Sequence, residues 1–241
     1  MIAFVLCAVV YVKMVKREVC RTLGLKSIIP VVLGFIAPFI MLALMIGFRI
    51  AVISIAGQEF ALRIPNLVLH SLAKAFFGAG FPEELTKLVL ALIAVAIVRP
   101  KNVYTYALMF IGVGFGFTAL EEIVYGGGND LMSLVRLPGF ALHMIFGMVM
   151  GLNLGLAKFN RIHKSGPAFG LVLSGLILPV LWHTVYDAAS VENAGILSED
   201  DMVVAVSIIA FVVVEVLSVV YQFILLGRFR KKSSEYSKME F

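Results

Sequence analysis

The chain has 241 residues, 61% of them hydrophobic and 15% charged, with a mean hydropathy of +1.02 and a formal net charge of +5. Soluble domains carry about 25% charged residues, so this composition excludes an ordinary soluble globular protein, and apolar runs that are continuous rather than alternating exclude a transmembrane β-barrel. The positive charge sits in short clusters between apolar runs, which is topology information and not a nucleic-acid footprint.

Run lengths predict an all-α polytopic membrane helix bundle, with helices over residues 1–14, 28–57, 66–80, 82–98, 103–126, 138–158, 167–190 and 202–227. They make one transmembrane domain over residues 1–227, and its chemistry-bearing core spans about 66–190. The first run has no charged segment ahead of it and no small-residue cleavage site, so it is expected to stay as an anchor. Cys7 in that run and Cys20 in the basic loop after it define no disulfide framework. The tail 228–241, "RFRKKSSEYSKMEF", is expected to be polar, mobile and cytoplasmic.

Four basic clusters set the orientation: Lys13, Lys16, Arg17, Arg21 and Lys26; Arg99 and Lys101; Lys158, Arg161 and Lys164; and Arg228, Arg230, Lys231 and Lys232. Each marks a cytoplasmic side. The remaining loops carry Glu59, Asp130, Glu192, Glu199, Asp200 and Asp201 and face outward. Between the outer loop near 58–65 and the inner loop near 99–102 only an odd number of crossings is allowed, yet two apolar stretches lie there, broken at "FFGAGFPEEL". Residues 66–80 are therefore expected to form a re-entrant or interfacial helix packed against protein. This gives seven crossings and one partial helix, with the N-terminus outside and the C-terminus inside. The eight-crossing alternative puts "RPK" outside, against the charge rule.

Ionisable groups within hydrocarbon are costly and by default mark function. In "FPEELTK", Glu83 and Glu84 follow Pro82 at a helix start, with Lys87 one turn on from Glu83; a capped helix with an ion pair is the plain alternative. In "FGFTALEEIVYG", Phe117, Glu121 and Tyr125 form a stripe, and Glu122 adjoins it. His143 heads a ridge with Gly147, Gly151 and Gly155, a packing surface in membranes that turns the histidine inward. In "HTVYD", His183 and Asp187 share a face one turn beyond Pro179. In the seven-crossing arrangement all four clusters lie within roughly 10–12 Å of the outer boundary, at 1.5 Å per residue. Isolated structural roles do not account for that common depth.

Two histidines with several carboxylates suit water activation. Either His143, His183 and Glu121 hold Zn²⁺ with an open position for water, or a glutamate, Glu83 or Glu84, is a general base without metal and the histidines stabilise the oxyanion. No HExxH motif occurs, and neither cysteine lies near the clusters.

"EELTK", "FGFTALEEIVY", His143 after "RLPGF", and "HTVYD", in that order over about 66–190, resemble the PrsW-type intramembrane protease family, a relative of the CAAX prenyl endopeptidase and bacteriocin-processing superfamily. The resemblance implies that Glu83, Glu84, Glu121, His143 and His183 carry catalysis, with Lys87, Glu122, Tyr125 and Asp187 in support. It implies a bacterial cell membrane and a membrane-anchored, single-pass protein substrate such as an anti-sigma factor, cut near the outer face in a site-1 role within a stress response. It leaves metal dependence open. Where the family commonly shows Glu-Asn, this chain has Glu121-Glu122, an added carboxylate at the second motif.

Arg49 and Glu215 are expected to pair across the second and last helices, while His70 and Lys74 share a face of the partial helix. His163, in a basic loop, is expected to be solvated. Two other classes also use intramembrane charge: an ion or small-solute transporter, which would place it at the midplane between inverted repeats, and a non-catalytic membrane scaffold.

Overall fold

The computed structural model describes residues 2–18, 23–56, 64, 66–126, 138–190 and 192–241. Cys20, Arg21, Glu59, Asp130 and the side chains of Arg49 and Tyr125 lie outside the described set. The helices are α1 (Ile2–Lys16), α2 (Ile28–Ala56), α3 (Leu67–Ala75), α4 (Phe81–Val98), α5 (Val103–Gly126), α6 (Leu142–His163), α7 (Phe169–Ala189) and α8 (Asp201–Lys238). No strand occurs among the described residues, so the fold is the all-α membrane bundle that the hydropathy predicts. Five stretches, within α2, α5, α6, α7 and α8, are long and apolar enough to cross a membrane.

α5 is the axis. In its apolar stretch 83% of residues are buried, against 11% in that of α8. Apolar helices gain nothing from leaving lipid for one another, so close backbone approach has to hold them together. Glycine supplies it: a Cβ on Gly34 of α2 would overlap the Val113 carbonyl of α5, and one on Gly116 of α5 would overlap the Val31 carbonyl of α2. On the other side, Gly114 meets the His143 carbonyl and Gly147 meets the Phe110 carbonyl. The glycine ridge after His143 is therefore the α5–α6 seam.

Two departures from the sequence reading are informative. First, residues 66–80 are not re-entrant. α3 runs into α4 through a π-helical turn, Phe76–Gly80, and the backbone stays right-handed helical at Ala75, Phe76, Gly80 and Phe81. Pro82 is the physical cause: it has no N–H to donate, and its ring clashes with the carbonyl four residues back. The helix absorbs this by widening, and the Phe81 N–H bonds Phe76 O five residues earlier. One helical path from Leu67 to Val98 rises about 45 Å at 1.5 Å per residue, more than a ~30 Å hydrocarbon core requires. One continuous helical path therefore stands where two separate segments were expected.

Second, the tail is helical and packed against the bundle. α8 continues to Lys238, and its Phe229 stacks on Tyr104 at 5.0 Å, with Tyr236 also buried. These two aromatics, seven residues apart, share one face of an otherwise charged helix. Past its end, Met239 O accepts from Val103 N at 3.1 Å and Phe241 N donates to Lys101 O at 2.9 Å. His163 is not simply solvated: its Nε2 lies 2.8 Å from Glu240 O. The tail thus ties together the α4–α5 turn and the end of α6, while Tyr104 donates to Met14 O of α1 at 2.8 Å. The described members of all four basic clusters lie at this end of the bundle.

α8 is built inside out. Its apolar side chains face outward, and the buried stripe is polar: Glu215, Ser218 and Gln222. Glu215 accepts from the Tyr186 hydroxyl of α7 at 2.8 Å. Gln222, fully buried, accepts from Ala141 N at 3.3 Å and donates to Pro138 O. α6 has no side-chain cap of its own, so Gln222 caps it from another helix.

Gly147→Leu is expected to abolish the monodisperse folded protein in detergent, or lower its melting temperature by many degrees, whereas Gly170→Leu is tolerated because nothing lies within 4 Å of its Cβ position. Gln222→Leu leaves the Ala141 N–H and Pro138 carbonyl unmet, a cost of about 1–3 kcal/mol each. Hydrogen exchange of residues 138–146 should rise selectively, and unchanged exchange there would deny the cap.

Candidate active site

Antiparallel helices bring the ionisable residues to one end of the bundle. Glu83, Glu84 and Lys87 stand in the first turns of α4, and Glu121 in the last turns of α5. His143 opens α6, and His183 with Asp187 lies near the close of α7. The π turn adjoins the two glutamates, and its Gly80 is in contact with Thr184 of α7, where a Cβ would overlap Thr184 Oγ1. That approach seats His183 beside Glu84. Gly114 plays the same part for His143, whose side chain tilts toward the start of α6 and so reaches Glu121.

Lys87 is the hub. Its Nζ lies 2.7 Å from Glu84 Oε1, 3.4 Å from Glu83 Oε2 and 2.9 Å from His143 Nδ1, and 4.1 Å above the Phe117 ring. An ammonium only donates, so His143 Nδ1 accepts, which puts that ring's proton on Nε2. Nε2 then donates to Glu121 Oε2 at 2.6 Å. His183 is bracketed by acceptors: Nδ1 lies 2.8 Å from Glu84 Oε1, and Nε2 lies 3.4 Å from Asp187 Oδ2 and 3.7 Å from Glu83 Oε2. The two imidazoles are 5.2 Å apart, and Phe146 stacks on His183 at 5.2 Å. Glu84 and Lys87 are 1% and 4% exposed, so these charges interact with little water between them.

Seven of the nine residues named from the sequence therefore converge: Glu83, Glu84, Lys87, Glu121, His143, His183 and Asp187. Glu122, next along α5, is buried on the side of the helix that comes within electrostatic range of the Cys7 thiol. The Tyr125 side chain is outside the described residues. Lys74 does not reach the cluster; it pairs with Glu192 at 2.5 Å. Sequence reasoning missed Phe146, the Gly80–Thr184 contact and the Gln222 cap. Only the last had a signal, a glutamine seven residues beyond Glu215 in an apolar helix.

The donors fit a metal ion. Ligand atoms of Glu83, His143 and His183 lie within 4.8 Å of one another, a mixed nitrogen and oxygen set of the kind zinc takes. Tetrahedral zinc ligands sit about 3.4 Å apart, so these side chains are pre-gathered rather than closed. Glu84 Oε2 beside them is buried and has no hydrogen-bond partner. Relative to the set expected from sequence, Glu83 stands where Glu121 was expected, and Glu121 holds the His143 ring instead.

Residues 36–217 match the family described as PrsW family intramembrane metalloprotease. Three proteins named Protease PrsW are similar. That of Shouchella clausii (strain KSM-K16) is 33% identical over 153 residues, 62% of this chain and 69% of its own. That of Halalkalibacterium halodurans is 31% identical over 160 residues, 65% and 70% of the two chains. That of Bacillus subtilis (strain 168) is 29% identical over 132 residues, 54% and 59%. No solved structure matches. A family match over three-quarters of the sequence, on a membrane bundle that gathers glutamates and histidines at one end, identifies the chain as a member of the PrsW family of intramembrane metalloproteases.

Proposed function

We propose that the chain is an endopeptidase that hydrolyses a peptide bond of a membrane-anchored, single-pass protein near the outer face of a bacterial cell membrane, with an anti-sigma factor as the substrate class. The observation that carries the reading is the Glu84 carboxylate, with Oε1 fixed by Lys87 and His183 and Oε2 buried without a partner. The shared position of all four basic clusters at the far end supports an outward-facing site, because basic ends stay cytoplasmic. On that rule the N-terminus is outside and the C-terminus inside. The protease relatives set aside the transporter and scaffold alternatives.

Glu84 Oε2 takes a proton from the attacking water, whose oxygen adds to the scissile carbonyl carbon. The same proton then passes to the leaving amide nitrogen as the C–N bond breaks. Lys87 offsets the carboxylates and, by donating to His143 Nδ1, fixes that ring's tautomer; Glu121 fixes its orientation. Asp187 does the same for His183. Glu83, His143 and His183 would hold a divalent cation, zinc by their chemistry, with one nitrogen of each ring giving up the contact it makes here with Lys87, Glu121, Glu84 or Asp187; when bound the cation would supply Lewis-acid polarisation of the carbonyl and lower the pKa of water. A metal-free variant of the mechanism has one observation in its favour: the Lys87 ammonium already lies against Glu83, Glu84 and His143, where a second cation would compete with it.

Glu84→Gln should lower cleavage of a co-reconstituted anti-sigma factor by about 10²–10⁴-fold with folding retained; full activity in that variant removes Glu84 as base. The metal assay is separate. About one zinc per chain is expected in the purified protein, lost in His143→Ala and His183→Ala and on treatment with a chelator, together with activity. Chelator-resistant cleavage by metal-free protein would establish the glutamate mechanism instead.

A further inference from the structure

From mid-bundle toward the basic end, α6 and α8 line an open cavity of about 690 Å³, within the ~300–1,000 Å³ range of ligand sites. Its floor is apolar, made by Met148, Val149 and Leu152 of α6 with Leu225 of α8. Its mouth carries three cations, Arg228, Lys231 and Lys232, and one carboxylate, Glu235, all exposed. Lys232 pairs loosely with Glu235 at 3.8 Å, an exposed contact of little strength. Arg228 and Lys231 have no carboxylate partner among the described residues. The cations cover one patch because positions 228, 231 and 232 fall within one helical turn and a step.

We propose that this cavity is a binding site for an anionic phospholipid, with an acyl chain along Val149 and Leu152 and the headgroup phosphate on Arg228, Lys231 and Lys232. Charge complementarity picks the occupant: an apolar slot opening onto three cations at the end of membrane helices matches a molecule with a hydrocarbon tail and a phosphate head. A free phosphate has no use for the floor, and a neutral lipid has none for the rim. The placement gives the lipid a structural effect. α8 packs with little buried surface, and its Gln222 caps the His143 helix. A lipid filling the gap between α6 and α8 fastens the same pair of helices nearer their other end.

The test uses the full-length protein in mixed vesicles of phosphatidylglycerol and phosphatidylcholine, extracted in mild detergent, with co-purifying lipid quantified by mass spectrometry. A cation near a membrane surface contributes about fivefold to binding, so Arg228→Gln/Lys231→Gln/Lys232→Gln should weaken phosphatidylglycerol retention by on the order of 100-fold and leave phosphatidylcholine unchanged. Val149→Trp/Leu152→Trp, which fills the floor and keeps every charge, should also release it. Lys13→Gln/Lys16→Gln/Lys26→Gln removes equal charge at the same end away from the cavity and should change nothing. Retention in the tryptophan variant, or equal loss in the Lys13/Lys16/Lys26 variant, would show general surface attraction and overturn the site. Competition by millimolar inorganic phosphate alone would show that only the head is bound, and would overturn it too.

Discussion

One buried ammonium makes the rest of the site tenable. Glu83, Glu84, Glu121 and Asp187 bring four carboxyls to a place where water is scarce, and unpaired charge there costs several kcal/mol per ion. Lys87 answers two of them directly and orders a third through His143. It could not do so from another helix without a long reach. Spacing on α4 gives it Glu83 at four residues and Glu84 at three, so all three side chains leave the rod toward α5, α6 and α7. The Phe117 face beneath the ammonium adds an attraction that lipid tails could not offer.

The frame around this network is set by backbone contacts, which have almost no slack. Gly34 and Gly116 hold α2 on one side of α5, and Gly114 and Gly147 hold α6 on the other. Because Gly114 touches the backbone of His143 itself, the register of the α5–α6 seam is also the register of the His143–Glu121 pair. Gly80 does likewise for α7 and His183. A seam that slipped by one residue would rotate a helix by about 100° and disperse the carboxylates. Packing and chemistry are thus specified by the same small residues, which is why the ridge that looked like mere helix packing leads directly to a histidine.

The sequence made much of this legible, for a definite reason. In a chain where hydrocarbon is the rule, polar residues stand out, and four exceptions spaced by helical turns could be assigned to faces without knowing any contact. Where reading failed, the signal was of another kind. The parity of the charged loops, with the break at "FFGAGFPEEL", suggested a partial helix over 66–80, but inside a bundle a proline can be accommodated by a π turn within a continuing helix. The tail failed because its charge count hid two aromatics on one face. Which carboxylate joins the two histidines was beyond reach, since Glu83, Glu84 and Glu121 differ only in rotation about their helices. Phe146, apolar among apolar residues, had no signal at all.

The doubled glutamate of α5 now has a physical sense. Glu121 and Glu122 point about 100° apart, so the added carboxyl does not enter the His143 pair. Glu122 is buried on the side where α1 packs, near a thiol that donates to the Phe140 carbonyl at 2.8 Å. Phe140 belongs to the turn that Gln222 holds from the opposite flank, through Pro138 and Ala141. The segment leading into His143 is therefore gripped by α1 through Cys7 and by α8 through Gln222, the two helices at the ends of the described chain. Neither helix contributes a side chain to the cluster of histidines and glutamates. Both reach it through one four-residue turn, 138–141, so the geometry of His143 depends on the whole bundle being closed.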